Sequence, residues 1–343
     1  MNALSTRTGR GIGALALMCL SVIAANAQTA SARIVSAANT FLSTLDPKQR
    51  GSILFAFDDE AQRARWSNLP TAMARRAGLS MGELNATQRS AALALVSSAL
   101  SRRGFDKVQE IMEGDEILKA SEGNNPLFGK DLYYISILGT PSETAPWMLQ
   151  FGGHHLALNI TIAGEHGVLT PSLIGAQPAL YTANGKTVRP LGQESDKAFA
   201  LLNALDEAQR KQAILTYRVA DLVLGPGQDG KTIQPEGLKA SAMNDQQRAV
   251  LVDLISEWSG IVHESAAAAR MAEIKAGLGE TWFAWSGPTT VSAGHNGTAY
   301  YRVQGPNLVI EYAPQRLGGD PSMHVHTMYR DPTNDYGRKL TAK

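Results

Sequence analysis

The chain has 343 residues and a formal net charge of +1, from 32 basic and 31 acidic residues. This length can bury one large core or two of average size. The balanced charge leaves no basic footprint of the kind that nucleic acids or anionic lipids attract, so neither is an expected partner.

The first 27 residues have the pattern of a secretory signal peptide. Arg7 and Arg10 give a basic start, residues 11–25 are apolar, and residues 25–27 (Ala-Asn-Ala) form a small-x-small cleavage site. The apolar run is too short to span a bilayer. We therefore expect a mature chain that begins near Gln28, is periplasmic or secreted, and is not bound to a membrane after cleavage.

Cleavage at this point also removes Cys19, the single cysteine of the chain. Because Met18 stands where a lipoprotein signal has a small residue, we do not expect a lipid on Cys19. Loss of Arg7 and Arg10 changes the formal charge from +1 to −1. An exported chain without cysteine has no disulfides and no thiolate, so a metal must be held by His, Asp, Glu, Asn or Met.

A six-residue pattern occurs four times along the chain. Each copy has an apolar residue, Asp or Asn, two variable residues, Gln and Arg: Leu45–Arg50, Leu84–Arg89, Leu205–Arg210 and Met243–Arg248. The Asp or Asn is placed to cap a helix, and the Gln side chain can accept from the cap's own N–H, which completes a capping box. Pro47 fits the first helical position, where its missing N–H costs nothing.

The other predicted elements follow these caps. Helical spacing of apolar residues predicts helices over Gln88–Arg102, Ala204–Tyr217, Gln246–Val262 and Ser265–Ala276. Alternation predicts strands over Leu132–Leu138, Trp147–Phe151, Leu156–Ile162, Thr281–Trp285, Thr298–Gln304 and Leu308–Tyr312. Glycines predict turns at residues 152–153 and 305–307.

The caps fall into two pairs of nearly equal spacing, 46/85 and 206/244, and predicted strands follow each pair. We interpret this as an internal duplication; the alternative is that capping boxes are common and the match is only local. The predicted fold is α+β, with two fused similar halves at residues 28–190 and 191–343. Each half has a capped helical part followed by antiparallel strands, and the absence of a long linker predicts one shared core.

Four of the seven histidines stand in two short stretches, at 154–155 and at 324–326. Residues two apart on a strand share a face, so His324 and His326 are typical of half a metal site. His154 and His155 would face opposite ways inside a strand. Either one is a ligand that the other supports, or the turn brings both together. The predicted metal ligands are therefore His154, His155, His324 and His326, at the place where the β parts of the halves meet.

Further residues are candidates for the same site. Glu311 alternates with Val309 on a strand and could be a ligand or a solvated edge carboxylate. His295 lies in a tight turn and could be a further ligand, a general base or a cap of that turn. Arg330 could hold a carboxylate or a developing anion, and Asp331 could orient an imidazole. The alternative for this last pair is a turn closed by its own polar side chains.

Two other catalytic signatures do not occur. The sequence has no His-Glu-x-x-His helix and no Gly-x-Gly-x-x-Gly fingerprint between a strand and a helix. We interpret His166 as a turn residue and His263 as a structural residue of an Ala-rich helix.

Three stretches together resemble a known family. They are residues 151–156 (Phe-Gly-Gly-His-His-Leu), the Gly305-Pro306 turn before Leu308 and Glu311, and residues 324–332 with both histidines. The chain is similar in them to a family of uncharacterised secreted proteins of bacteria and fungi, a domain of unknown function with a Gly-His-His hallmark. The resemblance covers most of the mature chain. It supports the choice of the four histidines and implies no substrate.

These observations predict a periplasmic or secreted metal-dependent protein with a mononuclear histidine site. An open coordination position would activate water or dioxygen, as in a zinc hydrolase or a copper or iron oxidoreductase. The alternatives are a non-catalytic metal-binding protein and a metal-free module that binds a small-molecule or polymer ligand. A cleft at the metal lined by Arg330, Asp331 or Glu311 would favour the enzyme.

Overall fold

The computed structural model describes residues 29–317 and 319–341. The predicted signal peptide, including Cys19, lies outside the described residues. Among the helices in these two ranges, none is long and apolar enough to cross a membrane.

The described ranges contain both α-helices and β-strands. The α-helices are α1 (Ala30–Ser43), α2 (Pro47–Ile53), α3 (Glu60–Arg63), α4 (Ala86–Ala99), α5 (Arg102–Ser121), α6 (Gly192–Ala204), α7 (Glu207–Ala213), α8 (Asp245–Ser259), α9 (Glu264–Ala276) and α10 (Arg338–Thr341). The strands are β1 (Leu54–Phe55), β2 (Leu79–Ser80), β3 (Tyr134–Leu138), β4 (Trp147–Gly153), β5 (Leu156–Ala163), β6 (His166–Val168), β7 (Ser172–Ala176), β8 (Tyr181–Ala183), β9 (Lys186–Val188), β10 (Leu238–Lys239), β11 (Trp282–Ser286), β12 (Tyr300–Gly305), β13 (Leu308–Pro314) and β14 (Val325–Arg330).

All four predicted capping boxes are confirmed. They stand at the start of α2, α4, α7 and α8, and in each the Asp or Asn accepts from the Gln backbone N–H while the Gln side chain accepts from the cap. The boxes also bond to one another in pairs. Gln88 donates to Gln49 at 2.8 Å, and Gln247 donates to Gln209 at 2.7 Å. Each capping glutamine therefore joins two helix starts as well as closing its own.

The sheet establishes an α+β fold, as predicted. It has twelve strands in the order β1-β3-β4-β5-β7-β14-β13-β12-β11-β10, with β2 beside β3 and β6 beside β5. The named strands pair antiparallel except β1 with β3. The strands before and after the central β7–β14 pair mirror each other, and each set follows two capped helices. The duplication itself stays a prediction, as do the half boundaries at 190 and 191.

The two faces of the sheet are covered differently. One face packs in a continuous core that runs from Ile34 on α1 to Tyr329 on β14. The other face carries a smaller cluster that includes Trp66, Leu173 and Met328, and loops rather than long helices cover it. Because His326 is two residues from Met328 on β14, its side chain lies on this loop-covered face.

The structure corrects some predicted elements. Helix α7 ends at Ala213 rather than Tyr217, because Ile214 leaves the helix and forms a parallel bridge with Trp285. Strand β7 was not expected, and neither were α1, α5 and α6. Helix α1 nevertheless has a regular amphipathic pattern, because its buried apolar residues recur at helical spacing. Helices α5 and α6 bury polar residues such as Lys107, Asp115 and Glu194 among their apolar ones, and β7 follows a Pro in a stretch with no alternation.

Candidate metal site

The first half of the site is a two-residue hairpin turn. Gly153 at the end of β4 pairs with Leu156 at the start of β5, so His154 and His155 form the turn between them. His155 has φ of 61°, and His154 is not left-handed. A left-handed second residue is typical of a type II turn, where glycine is usual. The predicted turn at the glycines is therefore wrong by two residues, and an imidazole occupies the strained position.

Gly152 and Gly153, at the end of β4, instead allow neighbouring backbone to pack closely against them. A Cβ on Gly152 would lie 2.3 Å from the Leu156 carbonyl oxygen, and one on Gly153 would lie 2.8 Å from the Leu132 carbonyl oxygen. Neither glycine has positive φ. Glycine is required here by the packing of neighbouring backbone, and this packing fixes where the histidine turn stands.

The second half of the site comes from His326 on β14 and from His324 just before that strand, and a glycine separates the two halves. His326 pairs with Gly175 on β7, and the Gly175 N–H donates to the His155 carbonyl at 2.6 Å. A Cβ on Gly175 would lie 3.2 Å from the Cδ2 atoms of both His155 and His326. The missing side chain on the intervening strand thus leaves the space in which rings from β14 and the hairpin turn meet.

Three ring nitrogens converge in this space. His324 Nε2 lies 2.9 Å from His155 Nε2 and 3.1 Å from His326 Nε2. Nitrogens bound tetrahedrally to one zinc ion at 2.0–2.1 Å would stand about 3.3 Å apart. The three side chains are buried, with at most 7% of any residue exposed. Among the described residues, these three histidines are close enough together to hold a metal ion.

Hydrogen bonding sets the tautomer of His324. Its Nδ1 lies 2.8 Å from the carbonyl oxygen of Leu317, which can only accept, so Nδ1 carries the proton. In the neutral ring, Nε2 then presents a lone pair to the other two imidazoles. Such a fixed outer hydrogen bond is characteristic of histidines that bind metals.

Burial keeps the three rings neutral. It lowers the pKa of His155 well below its ordinary value of 6.5, and the neighbouring imidazoles lower that pKa further. Burial and His326 lower the pKa of His324 to about 4. Burial also lowers the pKa of His326, although Asp221 opposes this. Neutral imidazole is the form that binds a metal, so the group is prepared for an ion at neutral pH.

Polar groups from two loops surround the outer side of His326. Its Nδ1 lies 3.5 Å from the amide nitrogen of Asn68 and 3.9 Å from Asp221 Oδ1. The backbone carbonyl of Asn68 also accepts from the His155 N–H at 3.3 Å. Asn68 therefore touches both halves of the histidine group.

His154 lies behind the group. Its ring stacks on His155 with centroids 3.7 Å apart, and its Nδ1 lies 2.6 Å from Asp115 Oδ1 on α5. The other Asp115 oxygen accepts from the Gly129 N–H. Of the two arrangements considered for the histidine pair, the structure has His155 in the converging group and His154 against its ring.

The structure does not bring Glu311 into the histidine group. Its two oxygens accept from the N–H groups of Val223 and Leu224 at 2.7 and 2.8 Å, and Tyr300 donates to it at 2.7 Å. Burial raises the pKa of Glu311, while these donors oppose the shift. The carboxylate holds the loop after Asp221 against the sheet.

The other three candidates also have contacts of their own. Arg330 donates to the carbonyls of Leu224 and Gly225 and pairs with Asp229 and Asp335.

Asp331 pairs with Arg270 at 3.1 Å and accepts from Thr333. His295 is exposed, and its carbonyl accepts from Arg189. The catalytic roles predicted for Arg330, Asp331 and His295 stay predictions.

Sequence reasoning missed four residues of this site: Gly175, Asn68, Asp221 and Asp115. Only Gly175 has a local signal, because an isolated glycine between apolar residues of a strand suggests a close approach of neighbours. The other three stand in loops or on a helix face far from the histidines in sequence, and no pattern there marks them.

The chain is thus an α+β protein with a buried group of three histidines that can hold a metal ion. The family described as protein of unknown function (DUF3500) matches residues 27–338, so the chain belongs to that family. No curated protein and no solved structure matches it. The expected membership of an uncharacterised family is confirmed, and the secretion and Gly-His-His hallmark attached to it stay predictions.

Proposed function

We propose that this protein is a periplasmic or secreted metal-dependent protein that binds one divalent ion through His155, His324 and His326. The observation that carries the proposal is the convergence of three Nε2 atoms at 2.9 and 3.1 Å. The Nε2 lone pair of His324 faces both other Nε2 atoms, so it can accept an N–H from one of them without a metal. A shared cation would take all three Nε2 lone pairs once each ring has its proton on Nδ1. Export rests on the signal-peptide pattern of residues 1–27.

The donor set narrows the choice of metal. Three imidazoles without a thiolate suit zinc, copper or iron, and zinc fits the spacing of the nitrogens. Three protein ligands leave a fourth position for water, which is the arrangement of catalytic zinc sites. Zinc lowers the pKa of such a water to near 7 and makes it a nucleophile. An enzyme that hydrolyses its substrate is therefore the first form of this proposal.

A non-catalytic metal-binding protein is the second candidate, and one observation favours it. Arg330, Asp331 and Glu311 are each occupied by partners away from the histidine group. A carboxylate or guanidinium that could act on a bound substrate would have to come from elsewhere, such as Asp221. If neither form holds, a metal-free module that binds a ligand is the remaining interpretation.

Metal analysis tests the proposal. Protein purified without a His tag from the periplasm or medium should contain about one metal ion per chain. The double substitution His324→Ala, His326→Ala should abolish metal retention while far-UV circular dichroism keeps the helical signal.

His263→Ala is the matched control, because the His263 side chain is buried and its ring contacts Ser265 outside the histidine group. It should leave the metal content unchanged. Retention of metal by the double variant would refute the site. Metal-free wild-type protein that cannot be loaded with zinc, copper or iron would leave the ligand-binding module as the better interpretation.

A further inference from the structure

A cleft of about 490 Å³ lies on the loop-covered face of the sheet. Its walls are the segment 214–220, the turn 286–288, the end of β13 at Ala313 and Pro314, and Arg316. This volume is within the range of pockets that hold small molecules, about 300–1,000 Å³.

The cleft adjoins the histidine group on the His326 side. Ala313 pairs with His326, and directly paired residues of antiparallel strands place their side chains on the same face. Ala220 in the wall precedes Asp221, which approaches the outer nitrogen of His326. Arg316 precedes Leu317, whose carbonyl sets the tautomer of His324. Two walls of the cleft are therefore continuous with groups that touch the proposed ligands.

Two charged residues line this cleft, and both are arginines. Arg218 and Arg316 are exposed, and within the described part of the chain neither guanidinium has an ion-pair or hydrogen-bond partner. Among the described residues that line the cleft, none is Asp or Glu. Leu215, Pro288 and Pro314 supply apolar surface beside them. An apolar body with an anionic end matches this combination.

We propose that the cleft binds an organic anion, a small molecule with an apolar body and a carboxylate or phosphate end held by Arg218 and Arg316. Guanidinium groups bind both anions through paired N–H donors, which favours Arg over Lys for this role. That the anion is the substrate of the metal centre rests on the proposed function. The binding of the anion itself rests on the cleft alone.

Benzoate binding tests the proposal, with benzyl alcohol as the neutral probe of the same shape. Calorimetry on the mature wild-type protein at low ionic strength should show benzoate binding at least tenfold tighter than benzyl alcohol. The double variant Arg218→Gln, Arg316→Gln should lose at least tenfold in benzoate affinity and leave that for benzyl alcohol unchanged.

The control Arg50→Gln, Arg338→Gln removes two exposed arginines outside the cleft and makes the same change in net charge. It should bind benzoate like the wild type. Equal affinities for the two probes, or benzoate binding that the cleft variant retains, would overturn the proposal.

The His324→Ala, His326→Ala variant separates this inference from the proposed function. If that variant still binds benzoate, the cleft is the site whether or not the wild type holds a metal. If it loses benzoate while both cleft arginines are present, the benzoate was bound to the metal and the cleft assignment is wrong. A wild type without metal that still binds benzoate refutes only the proposed function.

Discussion

Two hairpin turns hold equivalent places in the two mirrored sets of strands, and they differ in almost every chemical respect. His154 and His155 connect β4 and β5 after Gly153, and Pro306 and Asn307 connect β12 and β13 after Gly305. The histidine turn is buried and has a left-handed residue; the Pro-Asn turn is exposed or half-buried and has none.

The frames of the two turns are alike. Gly153 makes room for Leu132 and the ring of Tyr133, and Gly305 makes room for the Thr281 side chain. In both cases the neighbour lies just before the strand that precedes the hairpin. The difference therefore lies in the two turn residues and in what faces them. A left-handed non-glycine residue costs of the order of 1–3 kcal/mol. Two buried imidazoles at a strained turn are hard to explain by stability, and this favours a binding role.

Exchange of the turn residues should have the largest effect. His154→Pro, His155→Asn gives the first hairpin the residues of the second and removes one of the three proposed ligands. Loss of supporting residues alone costs about 10–100-fold in metal affinity, so we expect a loss greater than about a hundredfold. Competition with a chelating dye measures it.

The reverse exchange, Pro306→His, Asn307→His, is the control. It should create no second metal site, because among the described residues no pair of histidines converges on that turn. A second bound ion in this variant would show that the turn alone makes the site.

Gly175→Ala should have the next largest effect. The added Cβ would lie 2.9 Å from the Val325 carbonyl oxygen and against both imidazoles, so the rings must move apart. We expect about 10–100-fold weaker metal binding and a loss of about 1–3 kcal/mol in stability from overpacking.

Gly51→Ala is the matched control, since a Cβ there meets nothing within 4 Å. It lies inside α2, where alanine should raise stability by about 0.5–1 kcal/mol. Wild-type metal affinity in the Gly175 variant would contradict the proposed gap between the rings.

The metal-free protein should lose stability as the pH falls from about 6.5 towards 4. The pKa of His324 is about 4 in the folded chain and has its ordinary value of 6.5 in the unfolded chain. Between these two pH values the unfolded chain binds a proton that the folded chain does not, which favours unfolding. The stability that the neutral His324 ring contributes is fully present above pH 6.5. The lowered pKa values of His155 and His326 change the stability with pH in the same direction.

Urea unfolding of chelated protein across this range measures the effect. The profile should be flatter in His324→Ala, whereas Pro306→Ala should keep the wild-type shape. A wild-type stability that does not change between pH 6.5 and 4 would contradict the neutral buried histidines.

The smallest effect is expected from substitutions of the capping residues, which compare the capping boxes of the two halves. Asp46 and Asp206 each accept from the Gln three residues on at 2.8 Å. Asp46→Ala and Asp206→Ala should each cost about 1 kcal/mol, the usual value of an N-cap. Thermal melts in which neither variant loses stability would contradict the stabilising role of these caps. A loss of stability in only one of the two variants would contradict the equivalence of the two halves.

Local patterns predicted much of the framework of this protein. The four capping boxes depend on hydrogen bonds within one helical turn, so Asp46, Asn85, Asp206 and Asn244 could be placed from the sequence alone. Strand alternation likewise placed the hairpins within one or two residues in most cases. The two histidine stretches stood out because histidine is otherwise sparse.

The approach of His155 to His324 was beyond such patterns, because a register between β7 and β14 decides it. That register sets Gly175 between the rings, and it arises from the packing of a sheet shared by both halves. The separate contacts of Glu311 depend in the same way on where residues 223 and 224 cross the sheet.

The sequence by itself therefore determined the helix starts, the main hairpins and the residue type of the site. Each of these follows from residues a few positions apart, whose contacts the local backbone fixes. Only the tertiary structure decided which histidines meet and which polar residues reach them. Those contacts join residues up to 258 positions apart, as Asn68 and His326 show, and depend on how the whole sheet and its loops pack.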